Sequence, residues 1–150
     1  MKEKTKEKKM VKFSELENKV AALWMKAATV QQEENNNKLK KQEYICNEFA
    51  ANHGIIIKKQ YRGTNERAET EELFRKMIFE VAADRDINIL LISSFDRLSR
   101  DGYEAAMMIA YLRSKGVYVI SATQPTDFDN PLLGLLFNNI CNVRSYEKDN

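Results

Sequence analysis

The sequence predicts an α/β domain: a three-layer, mostly parallel sheet of four to five strands with helices on both faces. Two observations carry this. Short apolar, β-rich runs alternate with stretches of helical apolar spacing four times along the chain. The runs are apolar throughout rather than alternating, the pattern of strands buried on both faces. A length of 150 residues fits one domain, and folding at that size hides roughly 70% of the unfolded chain's surface, enough for a core without metals or disulfides.

The elements follow in order. Residues 1–18 are expected to form a charged, disordered tail, because MKEKTKEKKMVK offers almost nothing apolar to bury. Residues 19–150 form the domain. VAALWM (20–25) is the first strand, and KAATVQQEENNN is a polar loop after it. Leu39 to Asn52 is a helix with Leu39, Ile45, Cys46, Phe49 and Ala50 inward, closed by His53 and Gly54. GIIIKKQY is the second strand and RGTNERAET a loop. Acids at 69–72 open the next helix, where the helix dipole favours them, and Leu73, Phe74, Met77, Ile78, Val81 and Ala82 make its apolar stripe. INILLISS is the third strand. The following helix starts at Asp101, carries Ala105, Met108, Ile109 and Leu112 inward, and ends at Lys115 and Gly116. VYVISA is the fourth strand, QPTDFDNP a loop, and LLGLLFNNICNV the start of a last helix.

Charge and cysteine content narrow the class only a little. The net charge of +2 is nearly balanced and neither predicts nor excludes a polyanionic partner. Cys46 and Cys141 are far apart and lack a CxxC partner, which argues against a metal site and for a reducing compartment. No cofactor and no metal are expected. No apolar run reaches the ~18 residues of a membrane span, and the charged N-terminus has no signal-peptide core. The expectation is a cytoplasmic protein.

Ligands of parallel sheets sit outside the carboxyl ends of the strands. That rule gives an address to SFDRLSRDG (94–102), which follows the third strand. The loops after the first three strands share this rim, which is expected to carry Lys26, Arg62, Arg67, Arg97 and Arg100. Such a cluster suits a phosphate-bearing ligand, since the planar guanidinium fork matches phosphate oxygens. The local alternative is structural. Asp96 would pair with Arg97 or Arg100, and Ser99 or Asp101 would cap the next helix.

FDRLSRD after an apolar strand resembles the signature of the serine recombinases, the resolvase/invertase family. VAALWMKAATVQQ, KQEYICNEFAANHGIIIKKQY with Gln42, NERAETEELFRKM with Arg67, and GVYVISATQPTDFDNPLLGLLFNNI are similar to further family blocks, in family order from about Lys19 to about Val143. The resemblance implies a resolvase-like fold and site-specific DNA recombination, the chemistry of integration and mobile elements. A serine attacks a DNA phosphodiester, a phosphoserine link forms, and arginines neutralise the phosphate. By resemblance, Asp96, Arg97 and Arg100 are the Asp-Arg-x-x-Arg element and Arg67 is the loop arginine. Lys26, Gln42, Arg67, Arg97 and Arg100 are the expected DNA contacts.

The departures are at the nucleophile. Ala28 stands at the serine position, Lys26 at that of an arginine and Trp24 at that of a tyrosine. A methyl group cannot attack phosphorus. The expected function is therefore a recombinase-like domain that cannot cut, with DNA-phosphate binding or a regulatory role. The alternatives are an active enzyme using Thr29 or another hydroxyl, and an unrelated phosphate-binding α/β module. The expected partners are DNA, held weakly without a separate DNA-binding domain, and a second copy or a related recombinase. The chain is read as stopping within the family's long helix.

Overall fold

The computed structural model describes residues 13–27, 37–64, 68–99 and 101–124. Within them lie strands β1 (Lys19–Ala27), β2 (Ile55–Thr64), β3 (Ile89–Ile92) and β4 (Tyr118–Ser121), and helices α1 (Asn37–Asn52), α2 (Ala68–Ala83) and α3 (Gly102–Ser114). All strand pairs are parallel, in the order β2-β1-β3-β4.

The two faces of the sheet follow strand alternation. Ala22 and Trp24 of β1, Leu90 and Ile92 of β3 and Val119 of β4 pack with Met77, Val81, Ala105, Ile109 and Leu112 of α2 and α3. The intervening Ala21, Leu23, Met25, Ile89, Leu91 and Ile120 pack with Leu39, Cys46 and Ala50 of α1. Ala21 to Met25 are completely buried, which is why that run shows no polar alternation. α1 therefore covers one face, and α2 and α3 cover the other. Right-handed crossovers place them so when the chain steps from β1 to β2 on one side and then past β1 to β3 and β4 on the other.

Two boundaries differ from the sequence reading. Packing begins before Lys19: the 3-10 turn Phe13–Glu15 buries Phe13, whose ring meets Tyr118 edge-on at 5.7 Å. Phe13 and Leu16 are apolar residues in a polar stretch, and both join the core on the α1 face. β2 runs on through Thr64, so Arg62 and Gly63, expected in a loop, are strand residues paired with Met25 and Lys26. On α3, Met108 packs against the core as expected, while Met107 is exposed. The expected last helix and the tail before Phe13 lie outside the described residues.

Candidate functional site

The strand order reverses between β1 and β3, and an open α/β sheet has its crevice at such a point, beyond the strands' carboxyl ends. Pairing of β1 with β3 ends at Leu23, whereas pairing with β2 continues to Ala27. β1 thus outruns its neighbour, and the main chain of Lys26 is taken up by side chains instead. Its N–H donates to Gln42 Oε1 at 3.0 Å, and its C=O accepts from Gln42 Nε2 at 2.7 Å. The same C=O accepts from Arg97 Nη1 at 3.1 Å. Gln42 comes from α1 and Arg97 from the turn after β3, so three elements meet on the main chain of one residue, two before Ala28.

The turn itself is the 3-10 segment Phe95–Arg97. Phe95 and Leu98 anchor it in the core. Trp24 holds its far end, the indole Nε1–H donating to the Arg97 carbonyl at 2.8 Å. That indole is fully buried against Phe74, with ring centroids 5.1 Å apart. Gly63 lies close enough to the indole that a Cβ there would sit 3.2 Å from its edge. Arg97 is therefore directed from both main chain and side chain. Its Nε is buried and has no acceptor among the described residues. A buried guanidinium N–H without an acceptor is costly, and an anion reaching the crevice would satisfy it.

The site residues expected from the sequence divide three ways. Lys26, Gln42 and Arg97 converge. Gln42 does so as a structural clamp: it is buried and its amide engages the main chain, so in this structure both ends of its amide are taken up by Lys26. Asp96 sits exposed on the same turn and accepts from the Ser94 hydroxyl, and no ion pair joins it to Arg97 among the described residues. Asp101 caps α3, accepting from the Tyr103 N–H at 3.0 Å, as the local alternative anticipated. Arg62 does not join the rim cluster. Its guanidinium pairs with Glu43 of α1 at 3.1 Å, because alternation along β2 turns it to the α1 face. Ala28, Thr29, Arg67 and Arg100 lie outside the described residues.

The sequence reading placed Trp24 in the first strand, at the family's tyrosine position, and did not foresee the indole's hydrogen bond to the arginine turn. One signal was available: a buried tryptophan needs an acceptor for its N–H. Elsewhere, Lys58 bridges Asp84 and Asp86 at 3.0 and 3.3 Å. His53 closes α1, stacked on Phe49 with its Nδ1 2.9 Å from the Phe49 carbonyl. Among the described residues no cluster of His, Cys, Asp or Glu could hold a metal ion, and no helix is long and apolar enough to cross a membrane.

A parallel α/β domain with an arginine turn at its switch point is the class that these observations define. The family model described as "Resolvase, N terminal domain" matches residues 29–150. The chain belongs to that family. The match begins one residue after Ala28. No curated protein matches the chain. Among solved structures, the N-terminal catalytic domain of TP901-1 integrase is similar at 17% identity and a TM-score of 0.59, over 87% of this chain and 98% of that one. A resolvase-family site-specific recombinase from Streptococcus pneumoniae reaches a TM-score of 0.63 at 12% identity, over 88% and 91%. The C-terminal catalytic domain of ISC1926 TnpA, an IS607-like serine recombinase, gives 0.58 at 17%, over 78% and 79%. At these identities the likeness is one of fold, and the four-stranded parallel architecture is the one they share.

Proposed function

We propose that this chain is a recombinase-family domain that holds a DNA phosphate at the crevice between β1 and β3 without cleaving the strand. One observation carries the reading. The Arg97 guanidinium is fixed on the Lys26 carbonyl, two residues ahead of the nucleophile position, with its Nε still lacking an acceptor among the described residues. A phosphodiester oxygen supplies that acceptor. Lys26 adds a positive charge from β1, and Arg67 and Arg100 add theirs by family resemblance. At the position where the family carries the attacking hydroxyl stands Ala28, which has no lone pair to form a bond to phosphorus. Lys26 in place of an arginine keeps charge but loses the two-pronged grip. Several altered positions in one site fit a repurposed protein, one that assembles with a second copy or with a related active recombinase and regulates it.

The test is incubation with supercoiled DNA, for wild type and Ala28→Ser, followed by a denaturing gel for protein-linked DNA. The expected result is an adduct with Ala28→Ser and none with wild type. An adduct with wild type would overturn the reading and make Thr29 or another hydroxyl the nucleophile. If neither variant forms one while both bind DNA, the departure at Lys26 has removed catalysis along with Ala28. Binding is read separately: Arg97→Ala should weaken affinity across all sequences and reduce the salt slope by about one.

A further inference from the structure

The turn that carries Arg97 is short and has no cap of its own. It spans three residues, and Ser94 at its start makes no side-chain capping bond. Segments of this kind have little stability in isolation. Its first N–H, that of Phe95, belongs to a residue buried in the core. A buried N–H needs an acceptor, and it finds one outside the turn: Phe95 N–H donates to Gln124 Oε1 at 2.7 Å. A main-chain N–H can only donate, so the oxygen of the Gln124 amide must face it.

Gln124 follows β4 and is itself fixed. Its N–H donates to Ser121 Oγ at 3.2 Å, and its Oε1 lies 3.3 Å from the same hydroxyl. Ser121 Oγ also stands 3.2 Å from the Ser93 carbonyl, so its one proton is shared between two acceptors. The Ser93 carbonyl further accepts from the Thr123 N–H at 3.0 Å and the Thr123 hydroxyl at 2.5 Å. The chain leaving β4 is thereby stitched to the chain leaving β3 at Ser93 and at Phe95. Trp24 holds the opposite end of the turn at the Arg97 carbonyl.

We propose that Gln124 is a positioning residue for Arg97: it supplies the missing cap of the arginine turn and sets the direction in which the guanidinium meets a phosphate. The inference rests on the phosphate-binding reading above, and the experiment separates the two. Gln124→Leu keeps the shape and removes the acceptor, whereas Gln124→Glu keeps the acceptor. Amide hydrogen exchange reads the turn directly. Binding of a duplex DNA oligonucleotide at low salt reads the site, with Arg97→Ala as the reference.

In Gln124→Leu the Phe95 amide should exchange at least about tenfold faster, as expected for the loss of a buried acceptor. The Leu23 and Leu91 amides should be unchanged, and Gln124→Glu should restore protection at Phe95. DNA affinity of Gln124→Leu should fall roughly three- to tenfold, toward that of Arg97→Ala. Unchanged Phe95 exchange in Gln124→Leu would overturn the proposal. So would exchange that rises equally at Leu91, which would mark a general loss of structure. Wild-type affinity in Gln124→Leu alongside impaired Arg97→Ala would overturn it too. If wild type and Arg97→Ala bind DNA equally, the phosphate reading fails, and the exchange at Phe95 alone decides whether Gln124 holds the turn.

Discussion

Replacing Gln42 with leucine isolates the clamp on β1. Leucine fits the volume and keeps the position apolar, but removes both hydrogen bonds to Lys26. The two backbone groups then differ in fate. The Lys26 carbonyl keeps its bond from Arg97, so its loss is an ordinary net hydrogen bond, about 1 kcal/mol. The Lys26 N–H loses its acceptor beneath a side chain that is 4% exposed, which costs roughly 1–3 kcal/mol. Together the change destabilises by about 2–4 kcal/mol. At this chain length that is a fall in Tm of roughly 4–16 °C. Urea unfolding checks it: the midpoint should drop with the slope unchanged. Gln42→Glu adds a sign test. Its ionised carboxylate would face the Lys26 carbonyl, so the folded state raises its pKa. The neutral acid, which can both donate and accept, restores the pair. Stability relative to wild type should therefore be best at low pH and be lost as pH rises through the raised value. A Gln42→Leu variant within about 0.5 kcal/mol of wild type, the range of ordinary surface changes, would refute the clamp.

Three further outcomes are expected. Gly63→Ala would put a Cβ 2.7 Å from Thr70 Cγ2 and 3.2 Å from the Trp24 ring, so it should cost about 1–3 kcal/mol in urea unfolding, whereas a substitution at the exposed Gly54 meets no neighbour and strains only its positive φ. Burial pushes the Cys46 thiol up to about 12, so iodoacetamide at pH 8 should leave the Cys46 peptide unlabelled until urea unfolds the chain, as peptide mass mapping would report. Lys58→Met should lower the stability plateau in the middle of the pH range and leave its two ends unchanged: hydrogen bonds to Asp84 and Asp86 raise Lys58, a contribution complete below about pH 10 and lost above it. For Asp84, burial acts to raise the carboxyl, but the Asp86 N–H and Lys58 outweigh it. That contribution is complete above about pH 4 and lost as pH falls further. An unchanged urea-midpoint difference between wild type and Lys58→Met from pH 2.5 to 11 would refute it.

Strands and helices were legible because their signals are local. ILLI and YVIS are buried on every side and read as uninterrupted apolar runs, and the stripe from Leu73 to Ala82 repeats at helical spacing. The rim was legible through topology, since parallel strands must bring their carboxyl ends together. The side chains that reach across it were not. Arg62 and Arg97 look equivalent in sequence, yet strand alternation sends one to Glu43 and the 3-10 turn sends the other to Lys26. Gln42 did leave a trace. It lies three residues after Leu39 and four before Cys46, on the buried stripe of α1, where a polar residue implies a buried partner. What the sequence could not supply was the partner's identity, because Lys26 needs an outside donor and acceptor only where β1 outruns β3.

The arginine turn is tied to β1 and to the chain after β4 by three hydrogen bonds. Gln42, Trp24 and Arg97 are held by the Lys26 N–H and C=O, the Arg97 carbonyl and the core beneath Phe95. The arginine turn is thus a part of the fold's own hydrogen bonding, and removing the guanidinium would also leave the Lys26 carbonyl with one donor fewer. The residues proposed to position a phosphate are also residues that close the sheet. On the proposed reading, Arg97→Ala should therefore lower both DNA affinity and stability.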